Sequence, residues 1–150
     1  MKKRKEISMT PEESTAFVSD ADKIALATVG KDGFPHLVAM NFFVRDGAIY
    51  MTSYGKAQKV LNIRRNPKVA IMAESGRNYA ELRGVMIRGE CEIIEDWPTV
   101  EALMLAIRSK GAGDDVERGT LSAAARKRVI LKVVPKKIAS WDHRKLGGRY

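Results

Sequence analysis

A chain of 150 residues fits one domain that can bury a genuine core, and no apolar run approaches the roughly 20 residues of a membrane-spanning helix. The start, MKKRKEISMTPEE, is positive but has no apolar segment behind it, so no secretory signal is expected. Cys91 is the single cysteine, which excludes an internal disulfide and a CxxC metal site and gives a reducing, cytoplasmic location as the expectation.

In chain order, residues 1–9 read as a flexible basic tail and residues 10–150 as the folded domain. Thr10-Pro11-Glu12-Glu13 is a helix start: Thr10 can cap, Pro11 suits the first turn and Glu13 can complete a capping box. A short helix to about Ser19 follows. Lys23 to Gly30 (KIALATVG) is the first strand, and Lys31-Asp32-Gly33 supplies a turn. Pro35 to Arg45 (PHLVAMNFFVR) is the second strand, Asp46-Gly47 another turn, and Ala48 to Ser53 the third strand.

The period then changes to helical over Lys56 to Arg65. Ala57, Val60 and Leu61 form one stripe, with Gln58, Lys59 and Asn62 opposite, and Asn66-Pro67 stops the helix. Lys68 to Glu74 is a fourth strand. In the fifth, within Glu81 to Glu95, Val85, Ile87, Cys91 and Ile93 alternate with Met86, Arg88, Glu90 and Glu92, as in a sheet with one wet face. Val100, Leu103, Met104 and Ile107 make Trp97 to Lys110 an amphipathic helix. Residues 111–115 are a loop, Thr120 can cap a helix through about Lys127, and Val129 to Val134 is the last full strand. Lys136 to Trp141 continues the sheet after Pro135. Sequential hairpins with short inserted helices predict a mainly β fold, a small six-stranded antiparallel barrel with peripheral helices.

The net charge of +9 is partly terminal: Lys2, Lys3, Arg4 and Lys5 lie in the tail, and Arg144, Lys145 and Arg149 near the other end. Lys56, Lys59, Arg64, Arg65 and Lys68 cluster within thirteen positions, which suits a phosphate on a small molecule or on nucleic acid. Nucleic-acid modules interleave exposed aromatics or present a recognition helix, and neither is found, so a small-molecule partner is expected.

No GxGxxG, Walker loop, HExxH or GxSxG motif occurs, and His36 and His143 lie far apart. A protein without a nucleophile and its base can still be an enzyme when a cofactor carries the reaction. The segment from Thr52 through Asn62 runs from a strand end through a glycine turn into a helix bearing Gln58, Lys59 and Asn62. Its hydroxyls, free amides and lysine can hold a phosphate. A solvated helix capped by Ser53 accounts for the same residues. His36 also reads as a plain surface strand residue, Cys91 as an inert small hydrophobe, Met40, Met51, Met72 and Met86 as core filler, and Arg83 and Arg88 as an exposed strand face.

The order "LATVGKDGFPHLVAMNF", "IYMTSYGKAQKVLNIRRNPKVAIM" and "YAELRGVMIRGECEII", with the tail "SWDHRKLGG", resembles the flavin and deazaflavin oxidoreductases of the pyridoxamine-phosphate-oxidase-like split barrels over roughly residues 20–145. In detail it is closest to the branch that uses the deazaflavin coenzyme F-420. The resemblance implies a split β-barrel and a homodimer with the coenzyme at the subunit interface. It implies hydride transfer to a small organic substrate, with FMN as the alternative coenzyme and a non-catalytic flavin or haem carrier as the alternative role. It implies a phosphate held by Thr52, Ser53, Lys56, Gln58, Lys59 and Asn62. The ring would lie along Pro35, His36, Leu37, Val38, Ala39, Met40 and Asn41, and Tyr79 and Trp141 of a partner would close the site. Lys56, Arg64, Arg65 and the Lys2–Lys5 segment are the expected receivers of the acidic F-420 tail.

Overall fold

The computed structural model describes residues 2–112 and 123–149. Its elements are helix α1 (Lys2–Glu6), helix α2 (Pro11–Asp20), strands β1 (Ile24–Val29), β2 (Pro35–Met40), β3 (Phe42–Arg45) and β4 (Ala48–Tyr54), helix α3 (Gln58–Arg65), strands β5 (Lys68–Ser75) and β6 (Arg83–Ile94), helix α4 (Trp97–Ala112) and strand β7 (Arg128–Asp142). One antiparallel sheet holds all seven strands in the order β2-β1-β5-β6-β7-β4-β3. The two edge strands are therefore consecutive pieces of one segment, and the sheet curls into a split barrel.

The expected second strand accounts for the extra count. Met40 is still paired with Ile24 of β1, whereas Phe42 is paired with Met51 of β4, so the chain changes partner at Asn41. The last two expected strands are one: β7 runs through Pro135, and Lys136 is the extra residue where the register slips between Arg88 and Gly89. A bulge of this kind absorbs a proline that a regular ladder would reject.

Local signals behave as the chemistry requires. Thr10 Oγ1 accepts from Glu13 N at 3.1 Å while Glu13 Oε2 accepts from Thr10 N at 2.7 Å, closing the capping box. Asp46 and Gly47 both take positive φ between the paired Arg45 and Ala48, the requirement of a two-residue hairpin turn. The expected cap at Thr120 lies outside the described residues, and the helix expected after it is a 3-10 turn over Ala123–Lys127. Residues 2–9 belong to the segment expected as a flexible basic tail. They contain α1, and their exit is tied to the end of β7, with Asp142 N donating to Ile7 O at 2.7 Å and Met9 N to Ser140 Oγ at 3.0 Å.

The barrel interior is filled by Ile24, Leu26, Phe42, Met51, Ile71 and Leu131 among others, and a second cluster packs α4 onto the outer side of β4 and β7. Cys91 is buried in the interior, and burial pushes its thiol up to about 12, as an inert hydrophobe requires. Met40 and Met51 are core residues, but Met72 and Met86 are not: alternation puts them on the outer face of β5 and β6.

Helix α3 covers the barrel mouth through a polar node. Asn62, with 0% exposure, donates from Nδ2 to Thr28 Oγ1 at 3.0 Å and accepts at Oδ1 from Gln58 Nε2 at 2.8 Å and Arg65 Nη2 at 3.2 Å. This node outweighs hydrophobic periodicity, so Asn62 faces inward and Leu61 stays 46% exposed, the reverse of the expected faces.

Two stability outcomes follow. Asn62→Leu strands the buried hydroxyl of Thr28, so chemical denaturation is expected to show a loss of about 1–3 kcal/mol. At Gly84, an added Cβ would fall inside the indole of Trp141 across the ladder. Gly84→Ala is expected to cost about 1–3 kcal/mol by overpacking, and in a Trp141→Ala background that cost should vanish in the same measurement.

Candidate functional site

Strand β2 is a sheet edge, paired only with β1. Its alternation sends His36, Val38 and Met40 inward and Pro35, Leu37 and Ala39 outward. Two concavities flank this edge. One, of about 720 Å³, is lined by Pro35 and His36 from β2, by Gln58 and Asn62 from α3, and by the β1–β2 loop including Phe34. The other, of about 740 Å³, takes in Asn41, Phe42 and Thr52 with Arg128, the end of α2 and the last turns of α4. Both ends of the β2 segment and both ends of the β4–α3 connection thus contribute to one strip.

The expected phosphate residues divide: Thr52 lines the larger concavity, Gln58 and Asn62 line the other, and Ser53, Lys56 and Lys59 line neither. Lys56 is exposed, Thr52 and Lys59 are half-buried, and Gln58 is exposed while its amide is held by Asn62. Ser53 is buried, its Oγ donating to Tyr54 O at 3.1 Å, and it does not cap the helix. The cap position is Ala57, which has no side chain to offer, so the amides at the start of α3 receive no side-chain cap. Asn62 is committed to the node described above.

Lys59 lies below the usual lysine pKa, first because it is partly buried and second because Arg128 is close. Two cations brought together across β4 are favourable ground for an anion. Arg128 stacks over Tyr54, its ladder partner, at 4.1 Å from the ring centroid. Sequence reading passed over Arg128, although its alternation with Ile130 and Lys132 already put it on an outward face.

Other expected receivers are already engaged. Arg64 pairs with Glu95, and Arg65 donates to Val29 O at 3.0 Å. The Lys2–Lys5 segment joins the end of β7, whereas Gly55, next to Lys56, donates to Lys127 O at its start. A single protomer therefore keeps α1 and Lys56 at opposite ends of β7. Tyr79 and Trp141 also lie at the far end: Tyr79 meets the His143 ring edge-on at 4.5 Å, and Trp141 covers Gly84.

Among the described residues, two buried side-chain atoms have no hydrogen-bond partner: His36 Nδ1 and Thr52 Oγ1. One belongs to each concavity. Unpaired buried polar atoms are few in a folded chain and call for a local reason. A polar ligand in the strip supplies one, and a coenzyme with a polar ring edge and a phosphate fits a free strand edge, an uncapped helix start and Lys56 with Lys59.

On the outer face, ladder pairing builds an apolar row of Ala39, Ala25, Met72, Met86 and Ala139 beside a second of Leu37, Ala27 and Ala70. Leu37 is 69% and Met72 40% exposed. No helix among the described residues is long and apolar enough to cross a membrane.

Comparison with known proteins agrees with this architecture. A conserved hypothetical protein of Mycobacterium tuberculosis, Rv2991, is 36% identical over 98% of this chain and 93% of its own, with a TM-score of 0.88. An F-420 reductase is 30% identical over 86% of this chain and 98% of its own, with a TM-score of 0.70. A FAD-binding protein from Mesorhizobium loti shares the fold at 21% identity and a TM-score of 0.67, over 89% of this chain and 94% of its own. No curated protein matches the chain. The profile of pyridoxamine 5'-phosphate oxidase matches residues 10–142, and the chain belongs to that family of split-barrel, flavin-binding oxidoreductases.

Proposed function

We propose that this protein is an oxidoreductase that uses the deazaflavin coenzyme F-420, bound along β2 and the start of α3, to reduce a small organic substrate in the cytoplasm. The observation that carries the reading is the meeting, at one concavity, of the free β2 edge at Pro35 and His36 with Gln58 at the uncapped start of α3, the helix that also carries Lys59. The 30% identity to an F-420 reductase supports the choice of coenzyme. When bound, the coenzyme supplies a two-electron hydride donor.

The chain's own residues bind and position. The α3 amides and Lys59 take the phosphate, and Lys56 extends positive charge toward an acidic tail. Backbone groups of β2 meet the ring's polar edge, and Val38 and Met40 hold the strand against the core from beneath. His36 Nδ1, buried on that strand without a hydrogen-bond partner, is a polar atom the ligand could satisfy.

We further propose that two copies pack through the apolar rows of the outer face. A flat patch of alanine and methionine with Leu37 at its margin is what a second copy covers at little entropic cost. This pairing is also the way Tyr79 and Trp141 reach a coenzyme, since one protomer keeps them away from α3.

The coenzyme reading predicts tighter binding of F-420 than of FMN at low ionic strength, with the gap narrowing as salt rises. Lys59→Ala should weaken binding by about 1.5–3 kcal/mol, the scale of a charge-assisted bond. Because Lys59 binds an anion only when protonated, affinity should fall as pH rises through its lowered pKa, and Lys59→Arg should flatten that fall. Calorimetric titrations favouring FMN at every salt concentration would instead make this an FMN enzyme.

Assembly gives a separate outcome. Met72→Glu places a charge in the centre of the apolar rows and is expected to convert a dimer into a folded monomer with impaired coenzyme binding. Light scattering of the wild type as a monomer with full coenzyme affinity would remove the dimer from the reading.

A further inference from the structure

The cavity of about 740 Å³ extends well beyond the coenzyme strip, between the end of α2, the last turns of α4 and the outer side of β4 and β7. Its size is that of a pocket for a small organic ligand. The wall from α2 is electrostatically settled. Lys110 donates to Ala21 O at 3.1 Å and sits 3.2 Å from the Phe42 ring centroid. Asp20 and Asp22 act on the same ammonium group, opposing the effect of its partial burial. That side sets two carboxylates against one ammonium and keeps some negative charge, so a bound acid has to be drawn to the opposite wall.

The remaining cations of the cavity are different. Arg108 of α4 and Arg128 of β7 both line it, and neither has an ion-pair partner among the described residues. Arg128 is held in place by its stack on Tyr54. Thr52, whose buried Oγ1 lacks a partner, lines the same cavity. Phe42, Met104 and Ile107 provide apolar surface between these groups. Two guanidinium groups lining one cavity suit a carboxylate, and the apolar lining suits a carbon skeleton rather than a bare ion.

We infer that this cavity is the substrate pocket and that the substrate is an organic acid, its carboxylate received by Arg108 and Arg128 and its apolar body lying against Phe42, Met104 and Ile107. The inference deepens the oxidoreductase reading and rests on it only for the ligand's role as substrate. The pocket adjoins the β2 edge at Asn41, so a molecule held here lies next to the ring, with Arg128, which also acts on Lys59, at the border between the two.

The test is calorimetric titration of the full-length protein, with and without saturating coenzyme, using trans-cinnamate, its uncharged amide and inorganic phosphate as probes. Cinnamate should bind at least tenfold more tightly than the amide, phosphate should not displace it, and saturating coenzyme should leave its affinity intact. Arg108→Gln and Arg128→Gln should each weaken cinnamate about tenfold, and Met104→Trp should abolish its binding by filling the cavity. Arg108→Gln should retain the wild-type circular dichroism spectrum, while Lys59→Ala should weaken the coenzyme and spare cinnamate. Equal binding of acid and amide, displacement by phosphate, competition with coenzyme, or indifference to Arg108→Gln would each overturn the inference. Cinnamate binding in a protein that takes no flavin or deazaflavin would keep the pocket and discard the oxidoreductase reading.

Discussion

At Asn41 the chain leaves one edge of its sheet and joins the other. Met40 is the last residue laddered to β1, and Phe42 the first laddered to β4. Because both edges belong to one continuous segment, the seven strands have to curl until those edges meet. They meet only at this residue. Above it β2 keeps one side of its backbone unpaired, and β4 continues into α3 instead of into another ladder partner. An open edge is normally a liability to be blunted or covered. Here it borders two concavities, and a ligand with a polar rim is a natural occupant. Asn41 itself is held on the outside, accepting from Lys23 Nζ at 2.6 Å.

The same geometry explains why α3 departs from its sequence pattern. Its mean character is polar, and it covers the barrel mouth without a strong apolar face. Attachment therefore comes from Val60 and Ile63 together with the hydrogen-bonded Asn62 node, which spans α3 and β1. With Asn62 and Arg65 facing the barrel, the helix presents Lys59 toward β4 and β7, where Arg128 adds its own charge. The fields of these two groups act on an incoming anion together, whereas Arg64 is compensated by Glu95. Counting basic residues along the chain does not separate the two sets. Their partners do.

Much of the fold was legible because it rests on short-range rules. The capping box at Thr10, the Asp46-Gly47 turn and the strict alternation of β6 are each decided within a few residues. The misreadings arise where a distant partner decides. Asn41 looks like an ordinary strand residue until β4 competes for Phe42, and Leu61 looks buried until Thr28 claims Asn62. Met72 and Met86 look like core because hydrophobicity does not tell the two faces of a sheet apart. Ser53 looks like a helix cap, but strand parity buries it and the cap position falls to Ala57. Arg128 and Arg108 went unnoticed for a related reason. They are far from the glycine turn in sequence, and only the curl of the sheet and the packing of α4 bring them beside Thr52.

Alternation on β2 divides one short strand among three tasks that can vary independently. Inward, His36, Val38 and Met40 set how the strand sits on the core. Outward, Pro35, Leu37 and Ala39 lie beside Val29, Ala27 and Ala25, where small side chains keep the sheet surface flat enough for another flat surface to approach. The third direction, in the plane of the sheet, belongs to the backbone alone, and only a change to proline, such as already stands at Pro35, removes one of its donors. Gly84 serves the same flatness further along: without a Cβ it lets the Trp141 indole lie down on the ladder instead of standing away from it. The side chains that line the cavity beside α4 and those of the outer rows can therefore vary separately, while the backbone edge between them stays the same.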